Sequence, residues 1–164
     1  MIYKLRGLNN NDRQGLEIML AGIPSFDADD QAVALELIDV ALNDPGQMDY
    51  LFLLAVDDND QPIGYACYGP TPLTDGTFDL YWIAVAADLS GKGIGTSLLQ
   101  AVEEDIKRRN GRMLIIETSS GEEYTKTRQF YLKNDYPLAE AIKDFYRPGA
   151  VSYTHLTLPT TPYV

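Results

Sequence analysis

At 164 residues the chain has the length of one domain, enough to bury a core without cross-links, and its lone Cys67 excludes an internal disulfide and a thiolate metal cluster. A net charge of -11, from 24 acidic against 13 basic side chains, argues against nucleic acid or an anionic membrane as the main partner. It suits a small cation such as an amine, or simply a solvated acidic surface. No run reaches the about 18 apolar residues of a membrane span, and the start MIYKLRG lacks the apolar core of a signal peptide, so the expected location is cytoplasmic.

In chain order, IYKLRGL reads as a short strand. NNDRQGLEIMLAGI places polar residues ahead of Leu16, Met19, Leu20 and Ile23, a helical spacing. DADDQAVALELIDVALNDPG follows as a second helix, with acids at its positive end, an expected apolar stripe through Val33, Leu37, Val40 and Ala41, and a Pro-Gly stop. YLFLLAVDD and PIGYACYG flank the turn cluster DNDQ as an antiparallel hairpin, with Cys67 expected as a buried hydrophobe. TFDLYWIAVAA is a further strand. Next, LSGKGIG crowds three glycines into five positions, and then Ile94, Leu98, Leu99, Val102 and Ile106 fall on one helical face that stops at Asn110-Gly111. RMLIIETS reads as a buried strand, YTKTRQFYLKND as a helix and YPLAEAIKDFY as a last strand. The order β-α-α-β-β-β-α-β-α-β gives an α/β fold of the α+β type: a mixed, mostly antiparallel central sheet flanked by helices. Its one β-α-β crossover is right-handed with parallel strands and carries the glycine loop.

Glycines let successive N–H groups converge, and the helix that follows adds the positive end of its dipole, so the loop suits a phosphate or pyrophosphate. A tight strand-to-helix turn with no ligand explains the same residues equally well. The Walker pattern G-x-x-x-x-G-K-[ST] is absent. A dinucleotide fingerprint, G-x-G-x-x-G with an acid about 20 residues on, is approached by Gly91, Gly93 and Glu117, but the third glycine, Gly95, comes one position early.

From Val151 the chain reads VSYTHLTLPTTPYV, fourteen positions without a charged residue. Its first ten residues resemble the translation of a transposon-end sequencing adaptor. The expected organisation is therefore one domain over residues 1–150, with 151–164 a non-native tail and the natural last strand lost or replaced. His155, the only histidine, lies in that tail. Residues 1–150 thus hold no Ser-His-Asp or Cys-His catalysis and no histidine metal site; acid–base work falls to carboxylates, tyrosines or lysines.

YWIAVAADLSGKGIGTSLLQAVEE, with FYLKNDY farther on, resembles the GNAT N-acetyltransferase superfamily, in which a strand ending I-A-V precedes [RQ]-x-x-G-x-[GA] and a later helix bears F-Y-x-x-x-G-[FY]. The resemblance runs from Ile2 to about Ala150 and implies transfer of an acetyl group from acetyl-CoA to a primary amine of a small molecule or peptide by direct attack. No metal, nucleic acid or membrane is implied, and a homodimer is compatible with it. It implies that the pyrophosphate rests on the segment Ser90, Gly91, Lys92, Gly93, Ile94, Gly95 and Thr96, and the pantetheine arm along Ile83, Ala84 and Val85. The N–H near Val85 would serve the oxyanion and Tyr131 the departing sulfur. Asp79 and Glu117 are the expected bases, each equally readable as a solvated strand carboxylate. Tyr81, sharing the parity of Asp79, and Phe26 in the N-terminal helices are expected at the substrate, with Trp82 on the opposite side of the strand. Two departures stand out: Ser90 replaces the loop's Arg or Gln, and Asp135 occupies a position suited to positive φ. A non-catalytic acyl-CoA-binding module of the same fold, and less well a dinucleotide-binding domain, fit the same residues.

Overall fold

The computed structural model describes residues 1–157. The strands are β1 (Lys4–Arg6), β2 (Leu51–Val56), β3 (Pro62–Pro70), β4 (Thr77–Val85), β5 (Met113–Ser119), β6 (Leu138–Arg147) and β7 (Ala150–Thr157); the helices are α1 (Asp12–Ala21), α2 (Ala28–Asn43), α3 (Ile94–Arg108) and α4 (Thr125–Lys133). The strand order is β1-β2-β3-β4-β5-β7-β6. β4 and β5 are the parallel pair, Thr77–Leu80 against Met113–Ile116, so the expected crossover through α3 is present. The elements anticipated from the sequence appear in their expected order.

The chain divides into two compact units, Met1–Gly69 with Tyr81–Glu104, and Pro70–Leu80 with the chain from Asp105 onward. In the first, β1, β2 and β3 form an antiparallel ladder. One side of it packs Phe52, Leu54, Tyr65 and Cys67 against Leu16, Leu20, Ala34 and Ile38 of α1 and α2. Another cluster gathers Ala55 and Ile63 with Ile94 and Leu98 of α3. Asp27 and Asp30 close a reciprocal capping box on α2: the Asp30 N–H donates to Asp27 Oδ1 at 2.8 Å and the Asp27 N–H to Asp30 Oδ2 at 3.3 Å. The buried face of α2 differs from the expected stripe. Ala34 and Ile38 are buried with Leu37 and Ala41 beside them, whereas Val33 and Val40 stand exposed. In a helix so rich in alanine and valine, several stripes are almost equally apolar, and packing selects one.

In the second unit, α3 ends as its sequence suggests. Asn110 takes φ 60° and the Gly111 N–H donates to the Ile106 carbonyl at 2.8 Å, a left-handed helix stop. β5 lies between β4 and β7. Residues 150–157, most of them from the expected foreign tail, form β7, paired antiparallel with both β5 and β6, so a strand occupies the position where the natural one was expected to be lost or replaced. β6 becomes the outer edge and is exposed along its whole length.

Candidate functional site

The glycine loop leaves β4 through a single 3-10 turn at Ala87–Leu89 and enters α3 at Ile94. Gly91 and Gly93 adopt φ 78° and 84°, the left-handed region in which a Cβ is strained, and open space lies where their Cβ atoms would stand. The glycines are therefore required by the backbone's curl rather than by crowding. The Gly93 carbonyl accepts from the Ser97 N–H at 3.0 Å, the first bond of the helix, and the earlier N–H groups of the α3 start have no intrahelical acceptor. Ser90, Gly91, Lys92 and Gly93 are exposed; Gly95 and Thr96 are half-buried. Ile94 is only 1% exposed and Ile83 and Val85 pack into the same cluster as Leu98, so these three offer backbone, not side chains. Ala84 is buried on the α1/α2 side.

A one-residue bulge in β4 resets the aromatic pattern before that loop. The Ala86 N–H donates to the Ile63 carbonyl at 2.9 Å and the Thr71 N–H to the Thr77 carbonyl at 2.8 Å. These rungs are eight residues apart from Ile63 to Thr71 and nine from Thr77 to Ala86, so the segment Thr77–Ala86, which contains β4, carries one extra residue. The expectation that Tyr81 and Trp82 face opposite ways is accordingly corrected. Trp82 packs on Phe26 in the α1/α2 cluster, ring centroids 5.2 Å apart, and Tyr81 lies edge-on to Tyr50, a member of that same cluster, at 5.6 Å. Strict alternation fails because a bulge reverses facing beyond it. Phe26 stands where the chain turns from α1 to α2, its N–H bonded to the Ile23 carbonyl at 3.1 Å.

In the second unit Asp79 is in register with Ile115, and Glu117 follows Ile115 by two positions. Register partners share a face, so Asp79 and Glu117 project from the same side of the sheet. Asp79 is half-buried and Glu117 exposed. Thr71 Oγ1 donates to Asp79 Oδ2 at 2.6 Å, a partner not singled out in the sequence. Tyr131 is buried, and burial pushes its phenol up, away from ionisation. Its ring lies 5.7 Å from that of His155, which sits opposite Ile116 in the β5–β7 register. Ile116 alternates with Ile115, so Tyr131 belongs to the face opposite Asp79 and Glu117. Within this unit the expected acid and bases thus lie on two sides of the sheet. Asp135 has φ 64°, as its place in the motif implied. Arg128, also not singled out, donates to the Ser119 and Gly121 carbonyls at 2.6 and 2.9 Å and pins the β5–α4 connection. No helix is long and apolar enough to cross a membrane, and no group of three His, Cys, Asp or Glu is placed to hold a metal among the described residues.

A family profile for the GNAT acetyltransferase domain matches residues 49–137. A crystal structure from Desulfovibrio desulfuricans, assigned to the GNAT family of acetyltransferases, is similar at 35% identity over 97% of this chain and 100% of that one, with a TM-score of 0.92. The ribosomal-protein-S18-alanine N-acetyltransferase of Escherichia coli shares the fold at 14% identity, over 98% of this chain and 96% of that one, TM-score 0.75. So does an aminoglycoside 6'-N-acetyltransferase complexed with coenzyme A, at 17% identity over 100% of both chains, TM-score 0.76. No curated protein sequence matches. With its crossover, glycine loop and bulged fourth strand in place, the chain belongs to the GNAT family of acetyltransferases and is an acyltransferase.

Proposed function

We propose that the protein moves an acetyl group from acetyl-CoA to a primary amine by direct attack. The observation that carries this reading is the curl of Gly91 and Gly93 into the start of α3, where N–H groups without a partner among the described residues and the helix dipole suit a pyrophosphate. The segment Ser90–Thr96 would hold that pyrophosphate by backbone, with Lys92 adding a charge. The backbone of Ile83, Ala84 and Val85 would hold the pantetheine arm. When bound, the coenzyme supplies an acetyl thioester.

The chain's own groups then have few tasks. An alkyl ammonium, with a pKa of about 10.4, must lose a proton before it can attack. Asp79 or Glu117 takes that proton. The N–H near Val85 donates to the developing oxyanion. Tyr131, on the opposite face of the sheet from Asp79 and Glu117, would reach the sulfur where the β4–β5 pairing ends at Leu80 and Ile116. Kept neutral by burial, it donates a hydrogen bond there as the bond from sulfur to the acyl carbon breaks. Phe26 and Tyr81 line the acceptor. The acceptor class is a small-molecule or peptide amine, as the S18-alanine and aminoglycoside relatives act on; the acidic surface favours a cation. A cytoplasmic location fits this chemistry.

Thermal unfolding with coenzyme A and with NAD, followed by Tyr131→Phe, tests the reading. Coenzyme A should protect and NAD should not. The variant should keep coenzyme affinity and lose turnover. Protection by NAD alone points instead to a dinucleotide site, and coenzyme binding without transfer to any amine points to a binding module.

A further inference from the structure

We propose that Thr71 is a positioning residue that holds Asp79 ready to take the proton of the attacking amine. This rests on the reading of Asp79 as the base. Thr71 Oγ1 donates to Asp79 Oδ2 at 2.6 Å, and a threonine hydroxyl has only that one hydrogen to give. Oδ1 has no partner among the described residues, so one carboxylate oxygen is anchored and the other is left for the substrate. The step balances: an N–H bond of the ammonium breaks and an O–H bond forms at Asp79 Oδ1. The freed nitrogen lone pair then forms the C–N bond as the C–S bond of the thioester breaks, and the second proton the nitrogen sheds ends on the departing thiolate.

The anchor is itself held. The Thr71 N–H donates to the Thr77 carbonyl at 2.8 Å, and the Thr71 carbonyl accepts from Thr74 Oγ1 at 2.7 Å. The rest of the 70–77 loop is tied to the start of β5: Arg112 Nε donates to the Asp75 carbonyl at 2.7 Å and the Arg112 N–H to the Gly76 carbonyl at 2.6 Å. Leu73 sits fully exposed at the loop tip with φ 62°, a left-handed turn conformation uncommon for a leucine. The loop therefore aims a β-branched hydroxyl, stiff about χ1, at one carboxylate oxygen. Such an arrangement fixes the carboxylate's direction, and proton transfer depends on that direction.

The test uses acetyl-CoA with spermidine, kanamycin and a peptide bearing a free N-terminus and a lysine, the fastest of these serving as probe. Asp79→Asn is expected to abolish most turnover. Thr71→Val should lower kcat about tenfold or more, equivalent to about 1.4 kcal/mol of barrier, while the KM for acetyl-CoA and the melting temperature stay put. Thr71→Ser, which keeps the donor, should restore most of the rate. If Thr71→Val turns over like the parent while Asp79→Asn is dead, the positioning role is overturned and the base survives. A Thr71→Val loss that tracks a lower melting temperature, with no rescue by serine, also overturns it in favour of a structural role. Full activity of Asp79→Asn removes the base reading, and no transfer to any of the amines removes the transferase reading.

Discussion

The Trp82 indole rests against the Phe26 ring at a centroid distance of 5.2 Å with the planes 42° apart. Trp82 is on β4 and Phe26 on the turn between α1 and α2, so this contact ties the helical layer to the strand that ends at Val85. An aromatic pair of this kind is worth about 0.5–1.5 kcal/mol beyond its buried area. Phe26→Ala removes that increment together with the ring's partly buried area, so it should lower stability by about 2–4 kcal/mol and raise the KM for the amine. Calorimetric titration should find coenzyme A binding unchanged; a loss of coenzyme affinity instead would place Phe26 on the coenzyme side.

Arg6 and Asp12 form a fork in the same unit. Nη1 and Nη2 donate to the two carboxylate oxygens, each at 2.8 Å, and Arg6 Nε reaches Asp60 Oδ1 at 3.0 Å. Asp12 is buried and also accepts from the Asn9 N–H at 2.8 Å, so the pair locks the start of α1 to β1. Removing one partner of a buried pair costs about 3–5 kcal/mol, and the partial exposure of Arg6 discounts that. Asp12→Asn should therefore cost about 2–3 kcal/mol in a denaturant titration.

Periodicity made most of this architecture legible. All five residues expected on the α3 face are buried, because a helix with charges opposite an aliphatic stripe leaves little choice of face. The α1/α2 face was less legible where valines and alanines compete. The bulge in β4 was invisible: nothing in FDLYWIAV marks an extra residue, and only the hydrogen-bond count against β3 reveals it. The loop glycines carried their own signal, since the left-handed backbone they adopt is strained for other residues. Thr71 could not be found from sequence, because its role depends on how a loop of turn-formers folds back onto the next strand.

The tail gives a sharper test of what a strand requires. Ser152 of β7 is fully buried and its Oγ has no partner among the described residues. A hydroxyl so placed costs about 1–3 kcal/mol. That mismatch supports the proposal that residues 151–164 are foreign sequence in a strand position suited to an apolar side chain. Ser152→Val should raise stability by about 1–2 kcal/mol in thermal or denaturant unfolding. A chain carrying the native end, recovered by resequencing the source DNA, should gain more and aggregate less. Native DNA that continues into the same codons, or a valine variant no more stable, would sink the idea.

Buried Cys67, Tyr65 and Tyr131 weaken the fold at alkaline pH. Burial raises the Cys67 thiol above its ordinary 9.0 and the Tyr65 and Tyr131 phenols above their ordinary 10.0. In the unfolded chain these groups lose protons near the ordinary values, whereas the folded chain keeps them. The folded state therefore binds more protons, and stability falls as pH rises. The contribution is complete below about pH 9 and declines above it, each group adding up to about 1.4 kcal/mol per pH unit. Unfolding free energies measured from pH 8 to 11 should fall with growing slope, and Cys67→Ala should remove the earliest part of the decline.

Ser90 offers the most direct gain-of-function test of the loop. Its backbone, φ -58° and ψ 142°, is one any residue adopts, and its side chain is exposed, so an arginine fits there without strain. The family pattern has Arg or Gln at this place, and a guanidinium can fork onto a phosphate where serine cannot. Ser90→Arg should tighten coenzyme A binding by about 0.3–1 kcal/mol, and the gain should shrink as salt screens the added charge. Dephospho-coenzyme A retains the pyrophosphate but lacks the ribose phosphate, so it should keep the gain if the introduced guanidinium reads the pyrophosphate. Loss of the gain with that ligand would assign the charge to the ribose phosphate, and no gain with either ligand would remove the pyrophosphate from this loop.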